Sequence, residues 1–382
     1  MKVLILHNRY REPGGEDAAA SAEAALLREG GVDVVEATFD NQGSPLQLGL
    51  HAAWSRDSYR QVHAWCAAHQ PDLCHVHNFW MRLSPSVHPA CHAAGVATVQ
   101  TLHNFRLMCV NGLLLRHGVV CEDCAGGVPW LGVVRRCYRD SFAASATVAG
   151  MIAGHRVRGT WDRDVDAFVA LSRHSRDKLA AGRMPADRIF VKPNFVSDPG
   201  EPELPPSASA SIVYAGRLSP EKGLDRLLTA WRSVDGGRLV IIGDGPDRPR
   251  LEAQPNVRVI FIGARRPEEV VRAIASARAV VLPSLGYENF PRLLVEAMAC
   301  GRPALVSDIG ALAEIVEHGR TGLRFHPGDT QGIAETLNVI LADGALADRL
   351  GVNARAEYLA KYTPERNFEQ LMRIYHFALT RR

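Results

Sequence analysis

Short β-branched runs bounded by turn residues recur along this chain with helical patterns between most of them, and that alternation limits the fold more than any other feature. The apolar start around Val3 to Leu6 reads as a buried first strand, followed by Val32 to Ala37, Leu73 to Val76, Val96 to Leu102, Ala167 to Leu171 and Ile189 to Lys192. The rhythm then restarts at Ile212 to Ala215, Arg238 to Ile242, Val257 to Ile262, Ala279 to Leu282 and Ala304 to Ser307. Buried strands alternating with helices predict a parallel sheet covered on both faces, and two series predict two such sheets. Between them, residues 197–209 carry Pro199, Pro202, Pro205 and Pro206. Proline lacks a backbone donor and breaks helix, so this stretch reads as a linker. The expected class is α/β, two facing Rossmann-like doubly wound domains. Their ligands would sit in an inter-domain cleft beyond the carboxyl ends of the strands.

A chain of 382 residues with 47% hydrophobic and 22% charged residues has enough apolar material for two cores and excludes disorder as its main state. A formal charge of +3 is too slight for a nucleic-acid partner, and no basic stripe with stacking aromatics accompanies it. No run approaches the ~20 apolar residues that cross a bilayer, so a cytoplasmic location is expected, with a peripheral position at the inner membrane face left open. Eight cysteines in such a compartment should be thiols or metal ligands rather than disulfides.

After the strand Ile212 to Ala215 comes Gly216-Arg217-Leu218-Ser219-Pro220-Glu221-Lys222-Gly223, ahead of a helical pattern from Leu224 to Trp231. Two cations and exposed backbone N–H groups in one loop suit a diphosphate; a solvated basic turn is the competing reading. A second segment runs Ser284-Leu285-Gly286-Tyr287-Glu288-Asn289-Phe290-Pro291 and opens a helix that ends at Gly301. Glu288 would stand in the loop and Glu296 inside the helix. A helix N-terminus favours phosphate, and carboxylates beside it can accept hydrogen bonds from sugar hydroxyls. Two glutamates alone would read as surface charge.

These residues do not stand alone. The loop Gly216 to Gly223, the turn Ile242-Gly243-Asp244-Gly245-Pro246, the segment Phe261-Ile262-Gly263 and the Glu288 to Glu296 pair, with Ala297 to Pro303, follow in an order that resembles retaining glycosyltransferases of the GT-B fold, family four. The resemblance is strongest over residues 211–326. It implies that Arg217 and Lys222 hold a donor diphosphate, Glu296 the ribose and Glu288 hydroxyls of the transferred sugar, with backbone near Gly263 to Arg265 meeting the base. Asn289, Phe290 and Pro291 would line the sugar. The family commonly carries a glycine after the first glutamate, and this chain has Asn289 there, which leaves the donor sugar open. The resemblance also implies that the terminal helix crosses back to the first domain. The domains would then be 1–197 with 366–382, and 209–365.

In the first half, Glu12-Pro13-Gly14-Gly15-Glu16-Asp17 opens an alanine-rich helical run. Gly14 and Gly15 let backbone approach a ligand, and the resemblance puts them by the donor phosphates and the acceptor; a plain tight turn competes. Their spacing is not G-x-G-x-x-G, which speaks against a dinucleotide oxidoreductase. His75, His77 and His103 end buried strands. The first two read as structural, whereas His103 matches the active-site histidine of the resembling family. Cys109, Cys121, Cys124 and Cys137 include a C-x-x-C pair, and either one structural zinc or four separate thiols fits that spacing. Residues 130–163 hold six arginines against Asp140 and Asp162, a pattern for a solvated helix face or for a membrane-linked, phosphate-bearing acceptor. Asp162, Asp164 and Asp166 form D-x-D matches that read as caps.

The expected activity is transfer of a sugar from a nucleotide diphosphate sugar to a hydroxyl acceptor without a catalytic metal. Arg217 and Lys222 would stabilise the leaving diphosphate, and His103 and Glu288 would orient the sugar. A nucleotide-sugar epimerase and a non-catalytic nucleotide-sugar binding protein are the alternatives. Base, sugar, acceptor and oligomeric state are not encoded legibly.

Overall fold

The computed structural model describes residues 1–9, 14–41, 49, 51–254 and 256–382. Glu12 and Pro13 of the expected glycine loop lie outside the described residues. The chain divides into two units, one of residues 1–114, 121–193 and 365–382, the other of residues 115–120 and 194–364.

The strands are β1 (Lys2–Arg9), β2 (Asp33–Asp40), β3 (Leu73–Asn78), β4 (Ala97–Leu102), the hairpin β5 (Leu115–Arg116) and β6 (Val119–Val120), β7 (Ala167–Ala170) and β8 (Ile189–Val191), then β9 (Ser211–Ala215), β10 (Arg238–Ile242), β11 (Val259–Gly263), β12 (Ala279–Leu282), β13 (Ala304–Ser307) and β14 (Gly322–Phe325). In the first unit they form a parallel sheet of order β2-β1-β3-β4-β7-β8. β3, β4 and β7 are buried at every position, as helices on both faces require. β3 runs two residues past its expected end, because His77 and Asn78 are buried although polar. The sheet changes direction between β1 and β3, the place where open α/β sheets leave a crevice.

The helix Pro364–Thr380 completes this first unit. Leu371, Ile374, Tyr375 and Ala378 recur at helical spacing and are buried with Val3, Ile5, Ala24, Leu27 and Val169 in one core. Phe368, Met372 and Phe377 pack only partly against it. Full burial of a side chain such as Leu371 or Ile374 stabilises by at most about 1.5–3 kcal/mol.

The second unit repeats the plan as β11-β10-β9-β12-β13-β14. β14 was not legible in the sequence: Gly322-Leu323-Arg324-Phe325 mixes glycine and a cation into four residues and lacks the β-branched pattern. The proline-rich segment is tied down. Asp198 pairs with Arg355 at 2.7 Å, and Asp348 accepts from the backbone N–H and the hydroxyl of Ser207 at 2.7 Å each. Pro202 sits so close to Gly301 that a Cβ there would come within 2.8 Å of it. Residues 198–207 therefore form a strap laid along the second unit. Among the described residues, no helix is long and apolar enough to cross a membrane.

Candidate functional site

In the second unit β9 and β12 flank the direction change, and the two loops singled out in the sequence leave their carboxyl ends. Three glycines make that end of the sheet shallow. Gly216 N–H donates to the Ile242 carbonyl, and Gly243 N–H to that of Gly263, both at 2.9 Å. A Cβ on Gly243 would lie 1.9 Å from the Gly216 carbonyl oxygen, so no other residue fits. Gly223 ends the basic loop at φ +69°, and a Cβ there would lie 2.1 Å from the Pro283 carbonyl oxygen. Both features demand glycine and press the Gly216–Gly223 loop against the end of β12.

That closeness joins the two loops. Lys222 Nζ donates to Glu288 Oε1 at 2.6 Å, and Ser284 Oγ donates to the same oxygen at 2.6 Å. Burial would raise the Glu288 carboxyl, but the Lys222 charge and the hydrogen bonds from Lys222 and Ser284 outweigh it and hold the group below the usual carboxylate range. A charged acceptor and a cation thus share a largely buried position, and the loop that carries Lys222 also carries the exposed Arg217. The Arg217 carbonyl accepts from the buried Tyr214 hydroxyl at 2.8 Å, which fixes the backbone that carries the guanidinium.

The helix Arg292–Ala299 begins directly after Pro291, its N-cap, and contains Glu296. Burial raises the Glu296 carboxyl despite Arg292 Nε at 3.7 Å. Its ion-pair partner is Arg292, one turn earlier on the same helix. Phe290 is buried with its ring 5.7 Å from that of Tyr362, so its side chain is a packing group. Gly263 has φ +72°, with the Arg248 guanidinium across it: an added Cβ would come within 3.2 Å of Nη1. Arg265 is exposed and donates to the carbonyl of Ala264.

In the first unit Gly14 caps the helix Gly15–Glu29, its N–H donating to Asp17 Oδ2 at 2.8 Å. Among the described residues, a Cβ on Gly14 or Gly15 would meet nothing within 4 Å. Asp17 also holds His7 Nε2 at 2.8 Å. A pocket lies beside β3 and β4, lined by His77, Trp80, Gln100, His103 and Arg106 among others. His103 Nε2 is 3.2 Å from His77 Nδ1, and the rings of His75 and His77 lie 4.4 Å apart. The three histidines therefore form one group. Sequence reasoning missed what lies beneath them. Glu23 is buried, with Oε1 at 3.0 Å from His75 Nδ1 and 3.1 Å from His77 Nε2, and Oε2 at 2.6 Å from Lys192 Nζ. Burial opposes the Glu23 charge, but Lys192 and the two histidines overcome it and keep the carboxyl well below its ordinary value.

None of the eight cysteines forms a disulfide; Cys109 is buried and Cys121, Cys124 and Cys137 are half-buried. Among the described residues only Glu23, His75 and His77 bring three donor atoms within metal-sharing distance, 4.8 Å of one another. Burial raises the Cys124 thiol, and Cys109, Cys137 and Cys121 add to that, so the four thiols lie near one another; Cys109 Sγ donates to Asn111 Oδ1 at 3.0 Å, and Arg135 stands 3.9 Å from Cys121 Sγ. Much of the basic stretch is also internally used. Arg156 donates to the carbonyls of Gly127, Leu107 and Gly182, and Arg158 lies over the Trp54 ring at 4.6 Å. Asp166 accepts from the Thr98 backbone at 2.8 Å and pairs with Arg382.

Residues 201–357 match the family described as glycosyl transferases group 1. An uncharacterized glycosyltransferase of Methanocaldococcus jannaschii is 32% identical over 176 residues, covering 44% of this chain and 45% of that protein. Alpha-maltose-1-phosphate synthase of Mycolicibacterium smegmatis is 30% identical over 243 residues, covering 55% and 62%. The alignments thus span about half the length of these curated relatives. Among solved structures, Anabaena HepE in complex with UDP-glucose superposes with TM-score 0.70 at 20% identity over 98% of each chain. Sucrose-phosphate synthase from Thermosynechococcus elongatus gives 0.75 at 20% identity over 100% of each. At such identity the likeness establishes the fold, GT-B with two Rossmann-like parallel-sheet units.

Proposed function

We propose, from the premise that this chain belongs through residues 201–357 to the glycosyl transferases group 1 family, that it moves a sugar from a nucleoside diphosphate sugar to an acceptor hydroxyl with retention of configuration. The observation that carries the reading is the Lys222–Glu288 pair in two loops at the carboxyl ends of β9 and β12. As the donor's glycosidic bond breaks, negative charge develops on the diphosphate. Arg217, Lys222 and the N–H groups at the start of the helix Arg292–Ala299 supply positive charge there. Glu288 accepts hydrogen bonds from hydroxyls of the sugar, as does His103. Glu296 accepts from the ribose, and Gly263 with Arg265 borders the base. Asn289 and the backbone of Phe290 and Pro291 line the sugar, while Gly14 and Gly15 admit the phosphates and the acceptor.

A uridine diphosphate sugar is the first donor to try, because HepE is the fold relative solved with UDP-glucose. The acceptor is read as glycan, small molecule or membrane-linked. Exposed Trp130, Val134 and Phe142, interleaved with exposed Arg136 and Arg139, support the membrane-linked form. The cysteine group is read as one structural zinc that would brace this stretch, which elemental analysis of untreated protein decides. Incubation with a panel of donors tests the main reading. Release of nucleoside diphosphate only with an acceptor supports transfer, whereas binding without turnover gives the binding-protein alternative and isomerisation of the free donor the epimerase.

A further inference from the structure

The buried group beneath His103 sets which of its two nitrogens carries the proton. His77 lies between Glu23 and His103, with Nε2 facing Glu23 Oε1 at 3.1 Å and Nδ1 facing His103 Nε2 at 3.2 Å. Glu23 Oε1 and His77 Nε2 are both buried; Oε1 also lies 3.0 Å from His75 Nδ1, whereas His77 Nε2 faces no partner but Glu23. A carboxylate oxygen only accepts, and a neutral imidazole has one N–H to give. Two bare acceptors facing each other out of water would cost the desolvation of both. The His77 proton therefore belongs on Nε2, between ring and carboxylate. Nδ1 of His77 is then an acceptor, and it takes the proton that His103 carries on Nε2. His103 is left with Nδ1 bare.

Burial and the neighbouring imidazoles keep both rings neutral. His77 is pushed down to about 4, and His103 well below its ordinary value. Glu23 stays charged because Lys192 and the histidines hold it low against its burial.

We propose that Glu23, acting through His77, is a positioning residue that fixes His103 in the Nε2–H form, so that His103 offers an acceptor at Nδ1 and selects a hydroxyl as its substrate partner. The proposal rests on His103 facing the substrate, and it deepens that reading by stating the polarity of the contact. A hydroxyl donates to the bare Nδ1. A ligand group that can only accept, such as a carboxylate or a ketone, would meet lone pair against lone pair.

The tautomer can be read without activity, by long-range 1H–15N correlation of the imidazole rings in the full-length wild-type protein at neutral pH. The expected pattern for His103 is protonated Nε2 and bare Nδ1. Glu23→Gln supplies the decisive contrast. Lys192, a donor, draws the amide oxygen to itself and turns the NH2 toward His77 Nε2. His77 then carries its proton on Nδ1 and gives it to His103 Nε2, so His103 should switch to the Nδ1–H form. Tyr375→Phe removes the hydroxyl 2.8 Å from His75 Nδ1 but leaves the Glu23–His77 contact, and should keep the wild-type pattern. A wild-type His103 protonated on Nδ1, or on both nitrogens, overturns the proposal. So does a stoichiometric divalent metal on Glu23, His75 and His77, because it would occupy the lone pair of His77 Nε2 and impose the opposite tautomer. Should Glu23→Gln fail to fold, the wild-type pattern and the metal analysis still decide. Loss of transfer activity with the expected tautomers intact would count against the proposed function alone.

Discussion

Lys222 and Glu288 stand 66 positions apart in the chain and meet at 2.6 Å, because glycine at 223 lets one loop press against the strand end that launches the other. Both side chains are largely buried, 21% and 16% exposed, so the pair also ties the two loops together. Its value lies in what it presents. Lys222→Ala should lower kcat roughly a hundredfold or more, the usual cost of removing one charge-stabilising group in a transition state, and far more than it lowers stability, because the Ser284 hydroxyl still donates to Glu288. Steady-state kinetics beside a thermal melt would check this, and near-normal turnover in the folded variant would remove Lys222 from the site.

Gly223→Ala tests the same relationship through the backbone. The new methyl would need to occupy space 2.1 Å from the Pro283 carbonyl oxygen, at a φ of +69° that L-residues avoid. The loop must move away from the end of β12, and Lys222 with it. Donor affinity should fall while circular dichroism stays that of the wild type. Titration calorimetry with the nucleoside diphosphate would measure the loss, and unchanged affinity would show that the loop position does not matter to binding.

How much of this could be read from the sequence divides by the range of the interactions. Eleven of the twelve strands in the two main sheets announced themselves as apolar runs, and the loops at residues 216–223 and 284–291 carried local signals in glycine, cations and carboxylates. β14 did not, because Gly322 and Arg324 break the pattern. Glu23 gave no sign either: a glutamate in an alanine-rich helix looks like a solvent-facing residue, and its burial depends on Lys192 and Tyr375, 169 positions away in the one case and close to the far end of the chain in the other. The cysteines carry a local signal in their spacing, and Cys109, Cys121 and Cys137 all act on the Cys124 thiol in the fold.

Lys192 should matter far more to stability than to chemistry. It is 2% exposed and donates to Glu23 and to Asn367 Oδ1, which joins the end of β8 to the first helix and the last. Lys192→Met would leave the Glu23 carboxylate buried without its cation, a change that typically costs about 3–5 kcal/mol. Urea unfolding should show a midpoint well below the wild type. A shift within error would mean that the histidines alone compensate Glu23.

Acid should weaken the first unit in a window set by its buried histidines. His77 is pushed down to about 4 and His88 to about 3, in both cases chiefly by burial, while the unfolded chain takes up these protons near 6.5. Between those limits the unfolded state binds more protons than the native one, so stability falls as pH drops from about 6.5, by up to about 1.4 kcal/mol per pH unit for each histidine. Glu23, held low, stays charged in the native state through this window and adds its own loss only below the unfolded carboxyl value of about 4.3. His88→Gln should flatten the fall between pH 6 and 4.5 on the scale of roughly one histidine. Chemical denaturation of both proteins at several pH values measures the slopes, and identical slopes would show that His88 already titrates normally in the fold.

Removal of residues 366–382 is the most severe test of the first unit. Those residues include Leu371, Ile374, Tyr375 and Ala378, all buried against β1, β3, β4 and β7 positions such as Val3, Ile5, Leu73, Val99 and Val169. They also include Asn367, whose Nδ2 donates to the Pro193 carbonyl at the end of the first unit's continuous segment. The truncated chain would expose that apolar face to water, and four buried side chains at up to about 1.5–3 kcal/mol for the larger ones exceed what a marginally stable unit can lose. Every donor contact proposed in residues 216–296 would remain in the chain. The expected outcome is an aggregating protein without turnover whose second unit still binds nucleoside diphosphate when it is recovered in soluble form. A soluble, monomeric and fully active truncation would show that the terminal helix contributes neither to the core of the first unit nor to catalysis.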